Sequence, residues 1–339
     1  MANESTCANS SAVTGVTRAA AVKEHARLQG FDACGVAAAG PADPGGKLRE
    51  WLDRGYHADM DWLARTSAIR LDVREKLPGA ASVVVVARNY YKPAPPEAQG
   101  QDRTVPLPSS EATGAVARYA WGRDYHRVMA KPLKRLAAYI DTLEPGAQSY
   151  ASIDSGPVLE RTWAERAGVG WVGKNSLILR RDMGSWFCLG AIITTARLEP
   201  DHPTPGYCGS CRLCIDACPT GAIVEESVVD ARRCISYHTI ENRENIPQSV
   251  GSRMGGWVFG CDICQEVCPW NRKTPVSDEP DFEPRPGQAA PDLKELAQSD
   301  EDAFRARFSG SPLMRAKHAG MVRNARIAIQ NVEQAEPGR

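Results

Sequence analysis

The strongest constraint on this chain is its cysteine pattern, which places eight of its 11 cysteines between Cys208 and Cys268. The N-terminal stretch, Met1 to Gly15, is rich in Ser, Thr and Ala and shows no basic and apolar export signal. A dense cysteine cluster in a long chain of this kind indicates metal or iron–sulfur ligation rather than a disulfide framework.

The spacing of these cysteines is specific. The first run is Cys208-x2-Cys211-x2-Cys214-x3-Cys218-Pro219, and the second is Cys261-x2-Cys264-x3-Cys268-Pro269, with Cys234 between them. The first run matches that of bacterial two-cluster ferredoxins, in which three cysteines hold one [4Fe–4S] cube and the fourth reaches the other cube. A pair of four-thiolate zinc sites is the alternative, although zinc sites rarely share such a run.

The same crossing rule divides the eight cysteines into two complete ligand sets. We expect the first cluster to be held by Cys208, Cys211, Cys214 and Cys268. We expect the second cluster to be held by Cys218, Cys261, Cys264 and, by elimination, Cys234. Two neighbouring cubes make an electron relay, and the long segment that precedes them is expected to house the electron acceptor. Of the remaining thiols, Cys7 has no assigned role, and core packing is expected for Cys34 and Cys188.

Length and charge exclude several classes of protein. A chain of 339 residues corresponds to about two domains at roughly 150 residues each. Lys plus Arg and Asp plus Glu both total 41, which excludes a strongly basic nucleic-acid protein and an acidic disordered tail. No apolar run approaches the roughly 20 residues that span a bilayer. We therefore expect a cytoplasmic monomer without a membrane partner.

Helical and strand patterns alternate as far as residue 200, which predicts an α/β (α+β) fold around one mixed sheet. The run Ser82 to Arg88 is the clearest buried strand, and Asp124 to Leu143 is an amphipathic helix that Pro132 should kink or split. Composition changes predict a disordered N-terminus at 1–16, an α/β domain at 17–200, a ferredoxin-like domain at 201–274, and a Pro-rich linker with a helical tail at 275–339.

The segment Gly168 to Asn175 matches G-x-G-x-x-G and nearly matches a Walker A loop. A dinucleotide fingerprint must follow a strand and open a helix, whereas here a helix precedes the glycines and a strand follows them. Walker A also needs Ser or Thr after the lysine, where this chain has Asn175. We therefore expect a turn that brings backbone close to some other bulky ligand, and not a nucleotide site.

Asp154 is the candidate acid. It follows the predicted strand Tyr150 to Ile153 and precedes Ser155-Gly-Pro157, so it should lie on a loop at a sheet edge, where catalytic groups concentrate. An N-cap or an Asx-turn is the alternative role for an aspartate in this context.

Several motifs in the same order resemble one family, the epoxyqueuosine reductases, over roughly residues 17–330. Besides the two cysteine runs, they are Arg118–His126, Asp154–Arg161, Ala164–Asn175, Arg232–Ser236 and Phe259–Cys264. The resemblance implies a cobalamin, as cob(II)alamin, in the N-terminal domain beside the ferredoxin-like domain. It further implies reduction of the epoxide of epoxyqueuosine, at the wobble position of a tRNA, to queuosine, with electrons from an external donor of the ferredoxin or flavodoxin type.

The resemblance also implies roles for individual residues. Asp154 falls on the family's proton donor. The positions that match the family's corrin-lining segments are Arg70, Ala117, Asp154, Ile178, Leu189, Ser236, Cys261 and Asp262. The family often ends in HEAT-like repeats, and Arg323-Asn-Ala325 matches the start of one, with room for one helix pair before Arg339.

Cations in this tail are the candidate tRNA contacts, because each phosphate contact adds salt-dependent affinity. The candidates are Arg305, Arg307, Lys317 and Arg323, and a solvated helical face is the alternative for any of them. Two other functions remain open at this point. A corrinoid reductive dehalogenase shares the plan of one corrin and two cubes but normally carries a twin-Arg signal. A ferredoxin-like electron-transfer module would hold clusters without a corrinoid.

Overall fold

The structure, a computed structural model, describes residues 17–43, 45–99, 103 and 113–335. The predicted disordered segment 1–16 and Cys7 lie outside these residues. The strands are β1 (Ala33–Ala38), β2 (Ser82–Asn89), β3 (Ala115–Val116), β4 (Ser149–Ser152), β5 (Trp171–Val172), β6 (Ile178–Leu179), β7 (Phe187–Thr194), β8 (Ile223–Glu225), β9 (Val228–Val229) and β10 (Trp257–Phe259).

The helices follow the same chain order. They are α1 (Arg18–Leu28), α2 (Lys47–Asp53), α3 (Asp61–Arg65), α4 (Ser67–Leu71), α5 (Tyr125–Thr142), α6 (Glu160–Arg166), α7 (Leu213–Asp216), α8 (Ile235–Ile240), α9 (Gln248–Gly251), α10 (Ile263–Glu266), α11 (Leu293–Gln298), α12 (Glu301–Phe308) and α13 (Lys317–Ala335). Among the helices of the described ranges, none is long and apolar enough to cross a bilayer. The predicted α/β class is confirmed.

The central sheet has four strands in the order β1-β2-β7-β4. Every residue of β2 is buried because both faces of the sheet are covered. Val84 and Val86 pack with residues of α1 and α5, whereas Val83 and Val85 pack with residues of α6.

The sheet differs from the prediction in one respect, because each of its strand pairs is antiparallel rather than mixed. A strand buried on both faces is a continuous apolar run whatever its direction, so the residue pattern cannot distinguish the two arrangements.

Helix α5 begins after Asp124, whose side chain accepts a hydrogen bond from the His126 N–H at 3.0 Å. Pro132 lies within the helix but does not divide it, contrary to the predicted possibility of a split. The buried face that includes Leu133, Leu136 and Ile140 packs on the sheet and on α1. This packing holds the helix together although the proline lacks an N–H for the helical hydrogen bond.

The cysteine-bearing segment joins the first half of the chain through a parallel pair, in which β3 lies beside β10. Helices α11, α12 and α13 cover this pair, and their apolar residues form one cluster with Trp121, Val258 and Phe259. The segment that leads from the last cysteine to α11 also packs on the α/β part, since Phe282 contacts Tyr90 and Trp186. The C-terminal helices therefore pack against the cysteine-bearing segment and cover one side of it.

Candidate active site

The first predicted set of cysteines comes together in space. The pKa of the Cys214 thiol is raised to about 11, mainly by burial and to a smaller extent by the neighbouring Cys268, Cys208 and Cys211 thiols. Cys208 and Cys268 pack in one apolar cluster with Trp171, Leu179, Tyr207 and Trp270. Four thiols from two distant runs thus share one site, as the crossing rule requires.

The second set also converges. Burial raises the pKa of Cys264, and the next largest contributions come from Cys234 and Cys218. Burial likewise raises the pKa of Cys261, with Cys264 and Cys234 among its neighbours. Cys234, which stands outside both runs, therefore lies near Cys261 and Cys264, and Cys214 of the first set also contributes to the pKa of Cys264.

Backbone N–H groups surround the sulfur atoms, as thiolate ligands of a cluster require. The Ala222 N–H donates to Cys218 Sγ at 3.2 Å. Backbone N–H groups of Tyr237 and Ser236 counteract the burial that raises the pKa of Cys234. Within the described ranges, no three Cys, His, Asp or Glu side chains are close enough to hold a single metal ion. A cube attaches each thiolate to a different iron, so the donor set fits two cubes.

A buried charged network lies directly behind the second set. Asp262, which follows Cys261, is 2% exposed. Its carboxylate accepts hydrogen bonds from the Arg118 backbone N–H at 2.7 Å and from Arg103 Nη2 at 3.1 Å. Glu266 pairs with the same two guanidinium groups, at 2.8 Å from Arg118 and 3.3 Å from Arg103. These ion pairs hold the segment around Ala117 against the cysteine-bearing segment.

Asp154 lies at the end of β4 on an exposed loop, as predicted from its position in the sequence. Its backbone is in the left-handed region, with φ of 56°, which costs energy for a residue with a side chain. The Tyr125 hydroxyl donates to Asp154 Oδ2 at 2.7 Å, and His126 Nε2 lies 3.9 Å from the same oxygen. Burial raises the pKa of Tyr125, so this hydroxyl remains a proton donor in its contact with Asp154.

Two further titratable groups lie close to Asp154. Burial of the Glu160 carboxyl raises its pKa to about 7, and the charge of Asp154 adds to this effect. Glu160 Oε1 is buried and has no hydrogen-bond partner among the residues that the structure describes. The buried Arg70 guanidinium donates to Thr66 Oγ1 at 2.9 Å and to the Val158 carbonyl at 3.1 Å. Burial opposes the charge of Arg70 and lowers its pKa, whereas Glu160 and Asp154 support that charge.

Edge-on and tilted ring contacts connect the Asp154 loop to the second cysteine set. The ring centroids of Tyr125 and Tyr119 are 5.9 Å apart, and those of Tyr119 and Phe259 are 6.1 Å apart. Phe259 lies two residues before Cys261 in the chain. The candidate acid and the cysteine cluster therefore belong to one continuous region.

The remaining predicted cofactor-binding residues lie in two places, the core beneath the central sheet and the segment next to the second cysteine set. Ile178 and Leu189 belong to the core cluster beneath the sheet, and Ala117 packs with Ile235 and the partly buried Cys261. Ser236 is half-buried and follows Cys234 by two residues. A cavity of about 350 Å³ between α2 and α4 is lined by none of the predicted residues, although Ser67 and Leu71 beside Arg70 line it.

The glycine segment 168–175 forms the link from α6 into the β5–β6 hairpin, so a dinucleotide arrangement of strand, glycines and helix is absent from this described segment. A Cβ atom on Gly168 would lie 2.5 Å from the His202 carbonyl oxygen, and one on Gly170 would lie 2.3 Å from that of Leu179. The expected approach to a bulky ligand is wrong at these two glycines, because protein backbone occupies the space. Cys34 and Cys188 pack at the edge of the core, as predicted.

The four tail cations have different environments. Arg305 pairs with Glu301 at 2.5 Å, and Arg307 pairs with Glu295 at 3.0 Å. The Arg323 guanidinium donates to the carbonyls of residues 238, 242 and 244, so it serves the fold. Lys317 is exposed and has no ion pair among the described residues.

Sequence reasoning did not give separate roles to Tyr125, Glu160 or Arg103. Tyr125 and Glu160 lie within the motifs Arg118–His126 and Asp154–Arg161, so the motif match was the available signal. Arg315 also lies near the site: its hydrogen bonds to Glu241 raise its pKa, and the charge of Asp154 adds a smaller contribution. Its guanidinium donates three hydrogen bonds to the Glu241 carboxylate, at 2.9, 3.1 and 2.7 Å. The stretch Lys92 to Ser110 is Pro-rich and polar, which predicts a surface loop, and its residues 100–102 and 104–110 lie outside the described ranges. Arg103 lies in this stretch, and nothing in its local pattern indicates burial.

Two family profiles match the chain. Residues 70–155 match the profile described as "Epoxyqueuosine reductase QueG, DUF1730", and residues 207–271 match that of a 4Fe-4S double cluster binding domain. The second match covers both cysteine runs and supports two [4Fe–4S] clusters.

Relatives match over most of the chain. The epoxyqueuosine reductase of Synechocystis sp. is 46% identical over 84% of this chain and 94% of its own length. That of Escherichia coli is 41% identical over 91% of this chain and 80% of its own length.

Solved structures match at similar coverage. One is an epoxyqueuosine reductase with an epoxyqueuosine-modified tRNA-Tyr stem loop, at 30% identity and a TM-score of 0.81, over 93% of this chain and 81% of that chain. Another is the Bacillus subtilis enzyme with a catalytic aspartate loop swung out of the active site, at 30% identity and a TM-score of 0.80, over 93% and 82%.

Proposed function

Since the chain belongs to the epoxyqueuosine reductase family, we propose that it reduces the epoxide of epoxyqueuosine at the tRNA wobble position to the alkene of queuosine. The reaction consumes two electrons and two protons and releases the epoxide oxygen as water. A catalyst therefore needs a route for electrons, a proton donor at the epoxide and a surface for the tRNA. The described residues offer a candidate for each requirement.

The observation that carries the proposal is the Asp154 loop. An exposed carboxyl group is held by the Tyr125 hydroxyl at 2.7 Å, on a backbone in the left-handed region. Strained loops of this kind cluster at active sites. A related enzyme has a catalytic aspartate loop that is found swung out of its active site. We assign Asp154 as the proton donor to the epoxide oxygen and Tyr125 as the group that orients its carboxyl.

The region between the Asp154 loop and the second cysteine set offers apolar and polar residues of the kinds that a cobalamin would contact. When bound, cobalamin supplies a low-valent cobalt centre that acts as a strong nucleophile or reductant. Ala117 and Ile178, which are 1% and 3% exposed, would contribute backbone and packing beneath a corrin together with the partly exposed Leu189, and polar contacts would come from Arg70 and Ser236. The Asp262 carboxylate would not contact the corrin directly, because it already accepts hydrogen bonds from the Arg118 N–H and from Arg103. It would instead hold the backbone of the segment around Ala117 in place.

The two cysteine sets provide the route for electrons. Cys208, Cys211, Cys214 and Cys268 would hold the first cluster, and Cys218, Cys234, Cys261 and Cys264 the second. The second set lies on the side of Asp154, because rings from Tyr125 through Tyr119 to Phe259 connect the two. Cys261 and Asp262 would therefore border both the second cluster and the corrin.

The tRNA surface is best supported at the junction of the tail with the Asp154 loop. Arg315 lies close enough to Asp154 for their charges to interact, and its guanidinium also lies 5.9 Å from the Trp62 ring. Lys317 follows two residues later and is exposed. We propose that Arg315 and Lys317 contact phosphates near the wobble nucleotide, in the cytoplasm where tRNA is modified. Arg305 and Arg307 pair with glutamates, as Arg315 pairs with Glu241, but they show no comparable link to the Asp154 loop.

A product assay tests the proposal. The protein is reconstituted anaerobically with iron, sulfide and cobalamin, and is then given a small-molecule reductant and an epoxyqueuosine-containing stem loop. We expect nucleoside mass spectrometry to show loss of one oxygen and the formation of queuosine, and cobalamin to be required. A brown protein that binds no corrin and leaves the nucleoside unchanged would contradict the proposal and favour an electron-transfer module.

A further inference from the structure

The two cysteine sets differ in their access to the surface. Around the first set, residues 209, 210, 212 and 213 are exposed. In the second set, residues 257–260, 262 and 263 around Cys261 are buried and the C-terminal helices cover β10, whereas Arg232 and Arg233 beside Cys234 are exposed. The loop that carries Cys208, Cys211 and Cys214 is therefore open to a partner protein.

An apolar side chain marks this exposed loop. Leu213 lies between Cys211 and Cys214 and is 45% exposed. Only two other large apolar side chains, Leu28 and Val276, are exposed in the described part of the chain. A protein that covers Leu213 is thereby in contact with the loop that carries three cysteines of the first set.

Cations surround the same loop. The Arg181 guanidinium lies 3.8 Å from the centre of the Tyr207 ring, and Tyr207 lies 6.1 Å from the Trp270 ring. Trp270 lies two residues after Cys268, and the exposed Arg272 and Lys273 follow it. Arg181, Arg272 and Lys273 form no ion pair with any described carboxylate.

Arg212 completes this group, although Asp216 lies 3.6 Å away. The pairing of Arg212 with Asp216 leaves Arg181, Arg272 and Lys273 as the cations of this surface that have no carboxylate partner among the described residues. Exposed cations without carboxylate partners create a field that attracts an acidic partner and raises its rate of association.

We propose that this surface, formed by Arg181, Arg212, Leu213, Arg272 and Lys273, is the docking site for an acidic one-electron carrier protein of the ferredoxin or flavodoxin class. The inference rests on the proposed function and names the place where its electrons enter. In each encounter the reduced carrier loses one electron and the first cluster gains it, and no bond is formed or broken. The cations orient the carrier, and Leu213 provides the apolar contact at the centre.

The test measures the rate of cluster reduction, which does not depend on the tRNA reaction. The double variant Arg272→Glu/Lys273→Glu is compared with Lys131→Glu/Lys134→Glu, which reverses two exposed lysines on α5. Anaerobic stopped-flow absorbance follows the bleaching of the reconstituted protein by reduced flavodoxin. We expect the first variant to react about ten-fold more slowly than wild type at low salt, with a smaller difference at high salt. The α5 variant should react at the wild-type rate.

Reduced methyl viologen, a small cationic reductant, serves as the internal control. It should reduce wild type and both variants at comparable or higher rates, which shows that the clusters are intact. A second variant, Leu213→Ser, should slow reduction by flavodoxin about five-fold without a change in salt dependence.

Wild-type rates with flavodoxin for both Arg272→Glu/Lys273→Glu and Leu213→Ser would overturn the proposal. An equal loss in the α5 variant would overturn it as well. Loss of stem-loop binding with unchanged reduction by flavodoxin would assign the surface to nucleic acid instead. A different result would contradict the proposed function: the wild-type protein forms no queuosine even when viologen has fully reduced its clusters.

Discussion

The substitution Asp154→Asn separates the chemistry of the carboxyl group from its place in the fold. Asn has nearly the same shape and, like Asp, tolerates the left-handed backbone that residue 154 adopts. The amide oxygen can still accept the hydrogen bond that the Tyr125 hydroxyl makes at 2.7 Å. The side chain is 69% exposed, so little burial energy changes. We therefore expect folding stability to change by less than about 0.5 kcal/mol.

Turnover should respond very differently, because an amide cannot donate the proton that a carboxylic acid supplies. Loss of a general acid lowers a rate by about 10²- to 10⁴-fold, which corresponds to about 3 to 5 kcal/mol in the activation free energy. We expect a loss in this range in single-turnover reactions with an epoxyqueuosine-containing stem loop, with corrin and cluster absorbance and stem-loop affinity unchanged.

The matched control is Asp302→Asn, which makes the same change at an exposed aspartate on α12 that has no hydrogen-bond partner within the described ranges. This variant should retain wild-type turnover. A single-turnover rate for Asp154→Asn within about three-fold of wild type, an energy difference of under about 1 kcal/mol, would refute the assignment of Asp154 as the proton donor.

Three further substitutions test the surroundings of this loop. Tyr125→Phe removes the hydrogen bond to Asp154 and should lower turnover by about ten-fold or more at unchanged stem-loop affinity, since hydrogen bonds to charged groups contribute about 1.5 to 3 kcal/mol; unchanged turnover would contradict this positioning role. Glu160 has a pKa raised by burial from 4.5 to about 7, so wild type should lose up to roughly 3 kcal/mol of stability as the pH rises through this window. Glu160→Gln cannot ionise, and its denaturation midpoints should not show that fall; parallel pH profiles would disprove the burial argument. Arg315→Gln should weaken stem-loop binding and reduce the slope of log affinity against log salt by about one, whereas Lys294→Gln should change neither; equal slopes in titrations by fluorescence anisotropy would exclude a phosphate contact.

The cysteine sets show how much of the site could be predicted from the sequence. Ligand spacing along the chain follows from the geometry of a cube, so the crossing of Cys218 and Cys268 between clusters was predictable from the spacing alone. In the structure the thiols of each predicted set influence one another, although Cys214 also contributes to the pKa of Cys264, so the division into two ligand sets stays a prediction. The position of Asp154 on a loop after a strand was predictable for the same local reason, because Ser-Gly-Pro ends the strand.

Other features depended on packing between distant segments. The direction of the strands could not be predicted, because β2 is buried on both faces in either arrangement. Arg103 was expected on a surface loop, yet it is 7% exposed and binds Asp262, which lies 159 residues further along the chain. Arg323 was a candidate for tRNA binding, but the tertiary structure surrounds its guanidinium with backbone carbonyls.

The sequence by itself determined which residues are candidates to ligate iron and which loop bears the candidate acid, because both predictions depend on neighbours a few residues away. Only the tertiary structure decided that Tyr125 holds Asp154, that rings connect this loop to the second cysteine set, and that the first set faces the surface. Contacts of this kind join residues far apart in the chain. Their energies come from burial and charge pairing in the folded protein, which no local pattern contains.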